Sequence, residues 1–213
     1  MKTDLAVVIE KIKETRNSVP KERSALIAIS GIDGSGKGYI TAQIVARLQA
    51  AGLRTAGINV DGWLNLPQKR FNEANPAEHF YLNALRFNAM FEQLIVPLRD
   101  RRSVRIEMDY AEETATEYRK QLCDYQDIDV IVLEGIYLLK QEFRPHYDLS
   151  VWIECSFGTA LKRAIARGQE GLAAEETTRA YETIYFPAQE IHFERDQPKQ
   201  AADLVFVNDP TLD

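Results

Sequence analysis

Strand-like and helix-like segments alternate along the chain, which predicts one α/β domain: a mainly parallel sheet with helices on both faces, in three layers. Two local patterns support this reading. The run Ala28-Ile29-Ser30-Gly31-Ile32-Asp33-Gly34-Ser35-Gly36-Lys37-Gly38 fits GxxxxGK, directly after an apolar stretch and directly before a helix-like one. That is the context in which a loop folds around phosphate. The run Asp129-Val130-Ile131-Val132-Leu133-Glu134-Gly135 is apolar and closes on a carboxylate, as suits a parallel strand covered on both faces.

The elements follow in order. Leu5, Val8, Ile9 and Ile12 recur at helical spacing and predict an amphipathic helix that stops before Pro20 and packs on the outside of the domain. Residues 1–20 are therefore read as a helical extension and 21–213 as the main domain. A buried strand is expected from Ala25 to Ser30, then the loop, then a helix carrying Ile40, Ile44, Val45 and Leu48 and ended by Gly52. A second strand, Thr55 to Val60, delivers Asp61 at its carboxyl end, where ligands lie in open α/β sheets. A long helix is expected from Pro76 through Tyr81, Leu85, Met90 and Leu94 towards Pro97. Ser103 to Asp109 and Thr116 to Leu122 alternate weakly and read as a hairpin or short strands outside the main sheet. After the strand that ends at Glu134 come a strand from Leu149 to Ile153, a helix from Phe157 to Arg167, a further helix starting near Ala174 and a last strand from Leu204 to Val207.

Composition narrows the classes of function. The 213 residues are 45% apolar and 27% charged, with a net charge of −6. A binder of nucleic acid needs a basic face to release counterions, so that class is disfavoured. No stretch approaches a membrane span and the first twenty residues lack the apolar core of a signal peptide. The two cysteines, Cys123 and Cys155, are too few for a disulfide framework and read as small apolar fillers. The expectation is a cytoplasmic enzyme with no membrane or nucleic-acid partner, and homo-oligomerisation is left open.

The chemistry concentrates on a few positions. Gly31 and Gly36 permit backbone angles closed to other residues, so amide N–H groups can turn inward on a phosphate, while Lys37 reaches the β and γ oxygens. The candidate nucleotide-binding set is Gly31, Asp33, Gly34, Ser35, Gly36, Lys37, Gly38 and Tyr39. Glu134 at a strand end is placed to hold Mg²⁺ directly or through water; its plain alternative is a solvated acid. Asp61 can orient an acceptor hydroxyl and take its proton, or join the metal shell, or merely cap the turn before Gly62. Lys162, Arg163 and Arg167 lie at one helix end beside Gly168 and Gly171, and the two arginines share a face. They read as a helical lid that closes cations over transferring phosphates, or as cations that merely complement a helix end. His79, His146 and His192 are isolated, which disfavours zinc. Trp63, His79, Tyr81, Asp109, Tyr110 and Tyr137 are candidates for an acceptor pocket, although each aromatic alone is more often packing.

These parts together resemble the uridine kinase and phosphoribulokinase group of P-loop kinases, from about Leu26 to Asn208. The resemblance rests on the GxxxxGK loop, Val60-Asp61-Gly62-Trp63, Leu133-Glu134-Gly135 and the basic segment Leu161-Lys162-Arg163-Ala164-Ile165-Ala166-Arg167. It extends to Tyr185-Phe186-Pro187-Ala188, Pro198 and Ala202-Asp203-Leu204-Val205. It implies a three-layer P-loop kinase fold that uses ATP and Mg²⁺ to phosphorylate a hydroxyl of a nucleoside, sugar or similar small molecule. By position, Lys37 and Asp61 would be catalytic, Glu134 and Asp61 metal-side acids, and Arg163 and Arg167 lid cations.

Two departures qualify it. The residue after Lys37 should carry a hydroxyl for Mg²⁺ and is Gly38. Thr41, about 4.5 Å further along the helix axis, is a poor substitute by reach. Weakened metal positioning is expected, and Gly38→Ser should then alter Mg²⁺ dependence and turnover. Second, Met108-Asp109-Tyr110-Ala111-Glu112-Glu113-Thr114 lacks the histidine with which uridine kinases read the base, which makes uridine itself doubtful; the acidic run reads as a solvated loop at Glu112 and Glu113, or as favouring a polyhydroxylated or cationic acceptor. The competing reading is a nucleotide-binding regulatory module with weak or lost catalysis. A GTP-hydrolysing switch is disfavoured, because no Asn-Lys-x-Asp motif is present.

Overall fold

The computed structural model describes residues 4–168, 171 and 173–212. Helix α1 (Leu5–Ser18) leads into strand β1 (Ala25–Gly31), the phosphate loop and helix α2 (Lys37–Ala50). Strand β2 (Thr55–Asn59) runs into a 3₁₀ turn, Val60–Trp63. Helices α3 (Pro67–Arg70), α4 (Pro76–Asn83), α5 (Phe87–Met90) and α6 (Val96–Arg101) precede a hairpin of β3 (Val104–Tyr110) and β4 (Arg119–Tyr125). Then come β5 (Val130–Gly135), β6 (Leu149–Glu154), α7 (Phe157–Arg167), α8 (Ala174–Ala180), α9 (Phe186–Asp196), α10 (Pro198–Ala201) and β7 (Leu204–Val207).

Five strands form one parallel sheet in the order β2-β5-β1-β6-β7, while β3 and β4 pair antiparallel outside it. Period-two alternation explains why both faces are covered. Ile27 and Ile29 of β1, Val130 and Val132 of β5, and Val151 and Ile153 of β6 bury against α1 and α2 on one face. Leu26, Ala28, Ile131, Leu133 and Trp152 bury on the other, against the helices from α4 onwards. Helix α1 contributes Leu5, Val8, Ile9 and Ile12 to the same buried cluster as α2, so its apolar stripe covers the sheet directly. The expected extension begins at residues 1–3, which lie outside the described residues.

Three expectations are corrected. The long helix after Pro76 breaks at Ala84–Arg86, because the loop after β2 captures its backbone. Asn65 N donates to Ala84 O (3.0 Å), Arg86 N to Trp63 O (2.9 Å), and Leu85 bridges Leu64. The resumed helix then runs beyond Pro97 to Arg101 through a π turn at Phe91–Ile95. Proline has no N–H and its ring collides with the carbonyl four residues back, and widening the preceding turn relieves both. The same device, Tyr181–Tyr185 before Pro187, joins α8 to α9. Strand β2 stops at Asn59 because its side-chain oxygen accepts from Asp61 N (2.7 Å), turning the chain into a 3₁₀ turn. The second hairpin strand starts at Arg119, three residues later than expected.

Both cysteines are free thiols, Cys155 buried and Cys123 partly so. Among the described residues no helix is long and apolar enough to cross a membrane.

Gly135 locks the 3₁₀ turn against the sheet. A Cβ there would lie 2.1 Å from Val60 Cγ2 and 2.9 Å from its stiff Cβ. Gly135→Ala is expected to destabilise by about 1–3 kcal/mol through overpacking, read as a lowered Tm. It should also displace Asp61, so activity should fall further than the loss of folded protein accounts for.

Candidate active site

The carboxyl ends of β1, β2 and β5 meet at one level of the sheet, since Glu134 lies opposite Ile29 of β1 on one side and Asn59 of β2 on the other. A cleft of about 770 Å³ opens there. Its walls include Asp33, Gly34, Gly36, Lys37, Gly38 and Tyr39 of the loop, together with Asp61, Glu134, Arg163 and Arg167. Side chains separated by more than a hundred residues thus share one cavity.

The loop's shape is held from outside. Gly34 and Gly36 have φ of 73° and 83°, in the left-handed region that only glycine enters freely. A Cβ on Gly34 would stand 2.5 Å from the Ala160 carbonyl, because α7 packs directly on the loop. Ser35 is fully buried and its carbonyl accepts from Arg163 Nη1 (3.0 Å) and Asn208 Nδ2 (2.8 Å). Asp33 caps Gly34 N (2.9 Å), accepts from the Tyr181 hydroxyl and sits 3.7 Å from Arg167. Lys37 is buried, and the contact of its ammonium with the Ile32 carbonyl is long at 3.5 Å, which leaves it available to an anion. Tyr39 stands at the rim, 71% exposed.

Helix α7 is anchored rather than free. Ala160 and Ala164 are buried, Ser156 caps its first turn, and Asp209 accepts from the Ser156 hydroxyl (2.6 Å) and the Thr159 hydroxyl (2.9 Å). Its cationic end, Arg163 and Arg167, projects into the cleft. The expected lid continues through Gly168 and Gly171, with φ of 55° and 67°; residues 169, 170 and 172 between the two helices lie outside the described residues.

The two acids share an environment. Burial pushes the Glu134 carboxyl above the usual range, opposed by Lys37 and reinforced by Asp61 and Asp33. Asp61 is shifted the same way, by desolvation first and with Lys37 opposing, and it remains exposed at the cleft. Glu134 Oε2 is buried and has no hydrogen-bond partner among the described residues. Two hard carboxylates in one cleft, one with an oxygen that has no hydrogen-bond partner among the described residues and both shifted upward by desolvation, suit a divalent cation. Mg²⁺ takes one or two carboxylates and completes its shell with water and phosphate oxygens. Among the described residues no group of three or more His, Cys, Asp or Glu could hold an ion alone, so these residues fit Mg²⁺ that arrives with a nucleotide. Thr41 is buried and does not line the cleft.

Of the acceptor candidates, Tyr110 and Tyr137 line the cleft and four do not. Trp63 is buried in the core beneath Arg86, and His79 contacts the Lys69 carbonyl (2.9 Å). Tyr81 donates to Asp196 (2.5 Å), and Asp109 pairs with Lys120 (2.7 Å). Each is taken by a partner elsewhere, which sequence spacing could not reveal. The segment Ala111 to Thr114 forms a wall of the cleft rather than a fully solvated loop; Glu112 remains exposed at its mouth, paired with Arg119 (3.0 Å). Arg70, Phe80 and Gln189 also line the cleft and carried no signal in the sequence, and Tyr185, which entered only as part of the segment Tyr185-Phe186-Pro187-Ala188, lines it too. Arg70 is 2% exposed and donates to the Glu113 carbonyl. Tyr137, with φ of 59°, and Gln189 are buried, and Tyr137 Oη and Gln189 Oε1 have no hydrogen-bond partner among the described residues.

A phosphate loop, a strand-end acid and a cationic helix converging on one sheet edge define a P-loop kinase. The chain belongs to the Phosphoribulokinase / Uridine kinase family, whose model matches residues 26–212. It is 27% identical over 161 residues to a uridine kinase of Ureaplasma urealyticum, covering 75% of this chain and 73% of that one. It is 26% identical over 189 residues to a uridine kinase of Macrococcus caseolyticus, covering 86% and 87%. Its fold is similar to that of a possible uridine kinase from Bacillus stearothermophilus (TM-score 0.71, 20% identity, 96% and 100% covered). A putative fructose transport system kinase from Silicibacter sp. TM1040 is also similar (TM-score 0.74, 21% identity, 96% and 99% covered).

The raised Glu134 carboxyl couples the stability of the fold to pH. The folded state holds the proton more tightly than the unfolded chain, so stability is lost as pH rises through the interval above the ordinary carboxyl value. At neutral pH, without metal or nucleotide, Glu134→Gln should raise Tm by about 2–4 °C for each kcal/mol recovered. The gain should vanish at acid pH, where both forms are neutral; thermal melts across pH check this.

Proposed function

We propose that the chain is an ATP-dependent small-molecule kinase that moves the γ-phosphate to an alcohol. The observation that carries this reading is the presence of Asp61 in the same cleft as Lys37, Glu134, Arg163 and Arg167. A bare nucleotide site needs no base beside it. The competing regulatory-module reading has no observation of its own in its favour.

In this reading the loop amides and the α2 N-terminus hold the β-phosphate, and Lys37 draws the γ oxygens into line. Mg²⁺, held by Glu134 and Asp61, would neutralise charge on the β and γ oxygens. Asp61 accepts the proton of the acceptor hydroxyl as that oxygen bonds to the γ-phosphorus and the bond to the bridging oxygen breaks, releasing ADP. Arg163 and Arg167 stabilise charge on the transferring group. Arg167 would exchange its long contact with Asp33 for the phosphate.

The acceptor end supports a small hydroxylated molecule. Tyr137 Oη and Gln189 Oε1 are buried polar atoms awaiting partners, and the aromatic rings of Phe80, Tyr110 and Tyr185 wall the same space. No histidine lines the cleft among the described residues, which supports an acceptor other than uridine.

The test is a coupled ADP-release screen over nucleosides, sugars and vitamin precursors. One acceptor should give saturable turnover. Lys37→Ala should lower kcat/KM by at least about 10²-fold, and Asp61→Asn should lower kcat by about 10²–10⁴-fold. ADP release that no acceptor stimulates would sink the assignment.

A further inference from the structure

Gly38 stands where the P-loop pattern calls for a hydroxyl, and the backbone does not explain it. Gly38 is the second residue of α2 and is absent from the glycines with positive φ, so any residue could adopt its conformation. What stands in front of it does explain it. A Cβ at position 38 would lie 3.1 Å from Glu134 Oε2 and 3.9 Å from Glu134 Cδ. The backbone that carries Glu134 is fixed, so relief of that contact has to come from the side chain itself, which must give by a few tenths of an ångström. Its strand is the one flanked by β1 and β2, with Ile29 and Asn59 in register beside it, and Gly135 behind it is pressed on Val60. The oxygen facing Gly38 is also the buried one that has no hydrogen-bond partner among the described residues.

We propose that Gly38 and Glu134 form a reciprocal pair. The missing side chain at 38 leaves a volume at the first turn of α2, and the Glu134 carboxylate occupies it, presenting Oε2 to the cation from the direction of the absent hydroxyl. Gly38 is then a positioning residue: it acts by leaving room for a ligand. This rests on the kinase reading, in which Glu134 holds Mg²⁺. Its consequence opposes a simple lost-ligand account. Restoring a hydroxyl adds no ligand to a deficient site but pushes an existing ligand out of place, and shortening Glu134 reopens the space for the hydroxyl.

The experiment is a Mn²⁺ titration followed by the electron paramagnetic resonance of free Mn²⁺. It uses the full chain with a non-hydrolysable ATP analogue, with binding of a fluorescent ADP as a check that each variant keeps its loop. Gly38→Ala and Gly38→Ser should both loosen Mn²⁺ about tenfold or more, because both add the Cβ. Glu134→Asp alone should also loosen it, since the shorter acid leaves the volume empty. The double variant Gly38→Ser with Glu134→Asp should bind several-fold tighter than either single variant, a coupling expected of groups in contact. Gly38→Ala remains informative if Gly38→Ser fails to fold, because it raises helix propensity while adding the same atom. Serine binding as tightly as wild type or tighter, alanine having no effect, or a double variant no better than the worse single one would each overturn the pair while leaving the kinase reading intact. Wild-type protein that binds the nucleotide but no Mn²⁺ would overturn both.

Discussion

The structure depends on one constraint: β5 lies between β1 and β2, parallel to both, with its single carboxylate at the end of an all-buried strand. The strand can be buried because Val130 to Leu133 are apolar on both faces. The same burial leaves Glu134 the first charged side chain on the way out of the sheet. Register then does the rest. Glu134 opposite Ile29 brings it level with the start of the phosphate loop, and Glu134 opposite Asn59 brings it level with the turn that carries Asp61. A slip of one residue in either ladder would turn the carboxylate to the other face and separate it from the loop.

The parts that obey a local rule were legible in the sequence. The strands and α7 follow apolar period and capping chemistry, and the phosphate loop follows a fixed glycine spacing, so their positions could be read one segment at a time. The hairpin was legible only as an alternation, and its second strand starts later than the pattern suggested. What was not legible depends on distant partners. The helix after Pro76 breaks because Asn65 and Trp63, well upstream, bind its carbonyls and amides. Trp63, His79, Tyr81 and Asp109 look like site residues by type, but Arg86, Lys69, Asp196 and Lys120 claim them. Gln189 sits in an ordinary amphipathic helix, and only the fold reveals that it lines the cleft with a buried oxygen that has no partner among the described residues.

The phosphate loop is shaped less by its own glycines than by the far end of the chain. Its central carbonyl, that of Ser35, is held by Arg163 and by Asn208, and the neighbouring Asp209 ties down the first turn of α7. The carboxyl of Asp209 is held well below its usual range; burial opposes this, but the Ser156 hydroxyl and amide and the Thr211 amide and hydroxyl outweigh it. A tail segment with little sequence signature is thus coupled to the geometry of a loop some 170 residues earlier. The sheet makes this coupling direct, because β6 and β7 are adjacent parallel strands and both end beside the loop.

The acid side of the cleft runs against stability. Desolvation raises the pKa of Glu134 and of Asp61, and among the described residues one buried oxygen of Glu134 has no hydrogen-bond partner. An orphaned buried carboxylate is a destabilising feature unless a ligand completes it. The same arrangement removes the puzzle of Gly38. The Cβ of a serine at that position would stand 3.1 Å from the Glu134 carboxylate oxygen, so in the proposed pair the glycine and the acid act as one feature of the fold. On this view the departure from the P-loop pattern does not mark a decayed site. It follows from how closely the end of β5 approaches the first turn of the helix, and it shifts responsibility for the cation from the loop to the sheet.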